Sequence, residues 1–194
     1  ATAKEIKKSL FNQNIEFKYL LVSPKNFEEK ISNFNNKYIC INALHGPFGE
    51  DGQIQKILEN LSFKFTHSNS EASKLGFNKK LTKKTLKNTK ILMPDHKVLE
   101  NRLINKEKLI EIFLKLGSFV LKPTSSGSSF GIKIFKDIND INSFAKDLKK
   151  NLSLYKKHQE LLCEKYIQGR ELTVAVIEKN KKSVSVEVTE IISN

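Results

Sequence analysis

The chain has 194 residues, enough for one or two domains with a real core, and carries 34 Lys+Arg against 21 Asp+Glu for a formal net charge of +13. That balance raises nucleic acid as a partner, but only Arg102 and Arg170 are arginines and the lysines are spread along the whole chain, which argues for a solvated lysine surface instead. The two cysteines and four scattered histidines show neither disulfide nor metal-ligand spacing, and no apolar run is long enough to span a bilayer, so a cytoplasmic location without nucleic-acid or membrane partners is expected.

In chain order, Ile6 and Leu10 share one face of an expected helix over 1–12, and Ile15 to Val22 reads as a strand. Ser23-Pro24 signals a helix start, followed by Phe27, Ile31 and Phe34 at helical spacing. Tyr38 to Leu44 is a continuous apolar run, the pattern of a parallel strand covered on both faces. Asp51 is expected to open a helix that buries Ile54, Ile57, Leu58 and Leu61. Strand and helix in this alternation predict a small parallel α/β layer. The stretch from Ser70 to Asn88 is helical and polar, and Pro94 ends it. A strand at His96 to Glu100 and an amphipathic helix from Asn105 to Leu116 follow. Two strands then flank a Ser/Gly loop, the second beginning at Gly131, and a helix runs from Asp137 to about Asn151. The remainder is strand-rich: Glu160–Ile167, Glu171–Glu178 and Ser183–Ile192. The fold class is therefore α/β, a small parallel unit leading into a mixed α+β one, with the boundary between Phe65 and Asn78. Cys40 and Cys163 lie in apolar runs and read as buried thiols. Both ends read as cut, since the chain opens in a helix and closes on a strand.

The most informative segment is FVLKPTSSGSSFGIKIF, Phe119 to Phe135. A lysine at a strand end, facing a loop of small residues, can hold a polyphosphate. Gly127 and Gly131 let backbone N–H groups approach an anion, the hydroxyls of Ser125, Ser126, Ser128 and Ser129 add donors, and Lys122 adds a point charge. The spacing is not that of GxxxxGK[ST], because the lysine precedes the glycines and the loop leads into a strand. A flexible polar hairpin is the alternative reading.

Three further segments stand out. HGPFGEDG, His45 to Gly52, joins a buried strand to a helix, where ligands of open α/β sheets gather. A capped turn with a satisfied histidine is its plainer reading. In SKLGFNKKLTK, Lys79 and Lys83 project from one helix face, although most such lysines are surface charges. In LLCEKYIQGRELTVAVI, an extended segment through Glu164, Lys165 and Ile167 can offer backbone groups to a flat heterocycle, and Glu171 can accept from a ribose; an ordinary hairpin with charged exits fits as well.

Together these segments resemble the D-alanine–D-alanine ligase family of the ATP-grasp fold, on HGPFGEDG with Gln55, FTHSNSEASKLGFNK, LKPTSSGSSFG and CEKYIQGRELTVAV. The resemblance implies ATP-dependent joining of two D-alanines for peptidoglycan precursors, through an acyl phosphate, with ATP and Mg²⁺ as cofactors and a homodimer as a possible assembly. By the same resemblance Lys79 and Lys122 reach the phosphates, and Ser126, Gly127, Ser129 and Gly131 belong to the covering loop. Ser128 lies near the transferred phosphoryl, Glu164 and the backbone of Lys165 and Ile167 meet adenine, and Glu171 meets ribose. His45 and Glu50 line the D-alanine sites. The implied domains are 1–67 (substrate-binding α/β), 68–163 (central ATP-grasp) and 164–194 (start of the last subdomain). Asn78 stands where the family usually has Asp, and Asn69 replaces a common glycine. The family's first Gly-rich loop would lie before Ala1 and its metal ligands beyond Asn194, so no metal ligand is expected here. A ligase using D-lactate or D-serine as acceptor, and a non-catalytic nucleotide-binding fragment, are the rival readings.

Overall fold

The computed structural model describes residues 2–127 and 129–192. Helix α1 (Thr2–Asn12) buries no residue. The expected strand at 15–22 does not form: the segment joins no ladder. Among the described residues no strand lies alongside it, and Ile15, Tyr19 and Leu21 face outward while Leu20 and Val22 pack inward. Helix α2 (Phe27–Ser32) begins after Asn26, whose side chain accepts from the Ser23 N–H.

Strand β1 (Ile39–Cys40) pairs in parallel with β2 (Lys64–Phe65). Here too the strand is shorter than the apolar run 38–44 predicts. The Asn42 side chain donates to the Gly49 carbonyl (2.7 Å) and accepts from the Leu44 N–H (2.9 Å), so the chain bends into the next turn instead of continuing the ladder. Helix α3 (Gln53–Asn60) starts two residues later than expected, because Gly52 at φ +92° forms its N-cap and the Asp51 carboxylate accepts from the Gln53 N–H. It buries Ile54, Gln55 and Leu58; Ile57 and Leu61 are only partly covered. Phe27, Ile31, Phe48 and Phe63 complete this first apolar cluster.

The polar stretch after Ser70 is two helices, α4 (Ser70–Phe77) and α5 (Lys79–Leu86), not one. Asn78 leaves the helical region at φ −95°, ψ 102°, and its side chain accepts from the Leu81 N–H as the α5 cap. Strand β3 (His96–Glu100) and helix α6 (Lys106–Leu116) form where the pattern places them, the latter capped by Asn105. Strands β4 (Phe119–Pro123) and β5 (Lys133–Phe135) flank the Ser/Gly loop. β5 begins at Lys133 and not at Gly131, whose carbonyl is taken by the Tyr155 hydroxyl at 2.9 Å. The single helix expected after Asp137 is interrupted at Asp147 (φ −118°, ψ 41°), giving α7 (Ile138–Lys146) and α8 (Leu148–Ser153).

Strand β6 (Glu160–Lys165) returns through the centre of an antiparallel sheet ordered β3-β6-β4-β5. One face of that sheet and helices α6 and α7 enclose the second cluster, where Leu109, Ile112, Phe119, Leu121, Phe135, Ile141, Leu161 and Cys163 are fully buried. Each of these Leu, Ile and Phe side chains contributes about 1.5–3 kcal/mol of transfer free energy. Cys163 is buried as expected, and its thiol is pushed up to about 12 by burial; Cys40 is half-buried.

Strands β7 (Glu171–Lys179) and β8 (Lys182–Ile191) form a separate antiparallel ribbon, exposed on both faces. Asn180 and Lys181, at φ 52° and 60°, make the two-residue turn whose twist suits a hairpin. Val174 pairs with Val188 but Val176 with Ser185, so β8 bulges at Val186 and Glu187.

Candidate active site

The sheet register creates the charged centre. Glu164 on β6 sits opposite Val120, and Lys122 on β4 sits opposite Leu162, so the two side chains are diagonal neighbours on the face away from Phe119 and Leu121. Lys122 Nζ donates to Glu164 Oε2 at 2.5 Å. The other carboxylate oxygen, Oε1, is 2.5 Å from Nζ of Lys83, which also donates to the Pro94 carbonyl at 3.2 Å. Burial alone raises the Glu164 carboxyl, but hydrogen bonds from Lys122 and Lys83 outweigh it and hold it below the usual carboxylate range.

Lys83 was not expected at the site. Its spacing from Lys79 put both on one face of the helix, and that was the available signal; its burial beside Glu164 depends on a strand far along the chain.

Helix α5 delivers Lys79. Its backbone N–H donates to the Thr124 carbonyl and its Nζ to the Ser126 carbonyl, both at 2.8 Å, while Asn78 bridges Ser125. Burial, and secondarily the positive charge of Lys122, lowers the Lys79 ammonium below an ordinary lysine, with Glu164 opposing. Two ammonium groups thus face one region with only part of their charge compensated, a setting that an anion improves.

The loop reaches across to the first unit. A Cβ on Gly127 would lie 3.1 Å from Glu50 Oε2, so a side chain there would press on that carboxylate. Glu50 folds back on its own turn: Oε2 accepts from the Gly46 N–H at 2.7 Å, and Oε1 lies 3.6 Å from His45 Nδ1. His45 Nε2 is 3.1 Å from the Thr2 hydroxyl. Between the turn and the loop lies a cleft of about 680 Å³, lined by His45, Gly46, Asp51, Phe77, Ser126 and Phe130, among others. A larger hollow of about 820 Å³, lined by Asn101, Arg102, Lys149 and Lys156, contains none of the glycines or lysines singled out by the motifs.

Downstream, Ser129 adopts φ 55°, and the Phe130 N–H donates to the Gly127 carbonyl at 3.1 Å. Gly131 is required twice over: its φ is +68°, and a Cβ would lie 2.9 Å from the Tyr155 ring. Ser128 lies outside the described residues. The Lys165 N–H is committed to the Asp95 carbonyl and the Tyr166 N–H to that of Ser118, both at 2.8 Å. Of the Lys165 backbone, the N–H is thus spent and the carbonyl remains for a heterocycle. Ile167 is exposed, and Glu171 opens the ribbon opposite Ile191; no hydrogen bond among the described residues ties either to the lysines.

The family model described as D-ala D-ala ligase C-terminus matches residues 85–194. The chain belongs to the D-alanine–D-alanine ligase family. It is 37% identical over 186 residues to the D-alanine–D-alanine ligase of Pelagibacter ubique, covering 94% of this chain and 57% of that protein. It is 33% identical over 191 residues to the ligase of Petrotoga mobilis, covering 98% of this chain and 58% of that protein. The chain therefore spans somewhat more than half the length of these relatives. Among solved structures, the Bacillus anthracis ligase complexed with ATP superposes with a TM-score of 0.71 at 27% identity, over 100% of this chain and 64% of that one. The Helicobacter pylori ligase gives a TM-score of 0.62 at 30% identity, over 77% and 44% of the two chains. The fold is the α/β ATP-grasp fold of these ligases.

Proposed function

We propose that the cluster of Lys79 and Lys122 with the Ser/Gly loop binds ATP, and that the chain serves an ATP-dependent ligase joining two D-alanines for peptidoglycan precursors. The observation that carries this reading is the convergence of Lys79 and Lys122 beside a loop whose Gly127 packs against Glu50. The relatives' names and the ATP complex of the Bacillus anthracis ligase support it.

In this proposal the phosphorylated species is the carboxylate of one D-alanine. The amine of the second attacks the acyl phosphate, and phosphate leaves from a tetrahedral intermediate. Negative charge develops first on the transferred phosphoryl and then on the tetrahedral oxygen, so the site needs cations and N–H donors more than a general base. Lys79 and Lys122 supply the charge, and Ser126, Gly127, Ser129 and Gly131 the backbone that lies along the phosphates. Ser128 is assigned to the phosphoryl end. Glu164, the Lys165 carbonyl and the Ile167 N–H are proposed for adenine, Glu171 for ribose, and His45 with Glu50 for the D-alanine wall.

The residues present do not fit the Mg²⁺ that the family implies. Among the described residues no three His, Cys, Asp or Glu side chains lie together. Glu187 sits in the β8 bulge, and Glu190 is held by Arg170 through two 2.8 Å bonds. No step is assigned through a metal.

The three segments 1–67, 68–163 and 164–194 are proposed as the functional divisions. The separate first apolar cluster supports the first boundary, while β6 continues to Lys165, past the second.

The test is Lys122→Ala. Its loss is expected to weaken ATP binding by about 1.5–3 kcal/mol in calorimetry, as for a hydrogen bond to a charged group. Unchanged affinity in a folded variant would refute the assignment.

A further inference from the structure

The lysine cluster contains one member that the proposed phosphate chemistry does not use. Lys83 is the buried charged residue of α5, its side chain 9% exposed beside a Glu164 side chain 14% exposed. A lysine is seldom buried so far without a task for its charge. Its Nζ has two protein partners, Glu164 Oε1 and the Pro94 carbonyl, which hold it on the far side of the carboxylate from Lys122. The neighbouring Lys80 turns away to pair with Glu160 at the surface, so it is no substitute.

Glu164 therefore divides its oxygens, Oε1 to Lys83 and Oε2 to Lys122. We infer that Lys83 is a positioning residue of the nucleotide site: by occupying one oxygen of Glu164 it limits that carboxylate to a single bond with Lys122 and leaves the Lys122 ammonium directed at a polyphosphate. The remaining N–H groups of an ammonium with one bond spent are free for the anion. Without Lys83, a mostly buried carboxylate keeps a full negative charge and one cationic neighbour. Lys122 then turns both oxygens to itself and is drawn back along β4 from the loop. The effect travels through charge balance, and Lys83 itself touches no ligand.

This inference rests on the reading of the lysine cluster and Ser/Gly loop as an ATP site, and the experiment separates the two. Binding of ATP and of adenosine to the full chain is compared by calorimetry, because Lys122 in this role acts on phosphate alone. Lys122→Ala is expected to lower the preference for ATP over adenosine; no change there defeats the ATP-site reading itself. Lys83→Met is expected to lower the same preference about tenfold, the size of one charge-assisted hydrogen bond. Lys83→Arg, which keeps the charge, is expected to retain most of it. A merely structural role would weaken ATP and adenosine equally and leave the preference unchanged, and that result overturns the inference while Lys122→Ala still shows its effect. Should Lys83→Met fail to fold, Lys83→Gln, which removes the charge but keeps a donor for the Pro94 carbonyl, takes its place. The same fall in the preference for ATP is then expected, and an unchanged preference overturns the inference.

Discussion

The four-stranded sheet and the β7–β8 ribbon are built from strands of similar apolar content, yet their burial is opposite. In the sheet, β4 alternates inward Phe119, Leu121 and Pro123 with outward Val120 and Lys122, and two helices cover the inward set. In the ribbon, Leu172, Val174, Val176, Val184, Val186 and Val188 are all exposed. A ladder with a good turn does not make a core, and two strands alone are marginal in water. The sheet can hold a charged cluster in register because its other face is packed. Among the described residues, the ribbon places Glu171 and Glu190 through its own ladder, with Arg170 holding Glu190.

The widest gap between the two is expected in amide exchange. The β4 and β6 amides should exchange only through global unfolding, about 5–15 kcal/mol for a domain, whereas β7 and β8 should exchange through local opening. Equal protection would mean that the ribbon is covered in solution. Next in size, Leu121→Ala should cost about 2–5 kcal/mol in urea unfolding, against no more than about 0.5 kcal/mol for Val176→Ala.

Acid titration sharpens the contrast further. The lowered Glu164 carboxyl contributes stability that is present above the ordinary carboxylate value and is lost as pH falls through the lowered one. Glu164→Gln should flatten that acid limb. Glu190 is also lowered, by its hydrogen bond to Arg170, but it is solvent-exposed. The smallest effect is therefore expected from Glu190→Gln, with whatever acid dependence it removes already abolished by salt.

The same contrast explains what was legible beforehand. β3, α6 and β6 could be read because their apolar periodicity, caps and length agree, as with Asn105 before Lys106. The strand at 15–22 could not be judged, because a strand exists only with a partner and periodicity does not report one. The breaks at Asn78 and Asp147 are single-residue departures inside helical patterns. At the site, the loop and Lys122 stand out through local spacing, whereas Lys79 and Glu164 are marked out only by the family resemblance. Lys83 and the approach of Gly127 to Glu50 are products of long-range packing, and no local pattern separates a buried lysine from the many solvated ones.

The bond from Lys79 to the Ser126 carbonyl has a geometric consequence. An ammonium is a tripod of donors, and here one leg stands on the loop backbone. Any oxygen met by the other two legs is gauged from the same nitrogen as the loop. Because the Lys79 N–H also holds Thr124, a shift of the first turn of α5 moves both reference points together. Charge alone does not define this position. The flat fork of an arginine cannot stand on three such points, so Lys79→Arg preserves the sign of the site and loses its ruler.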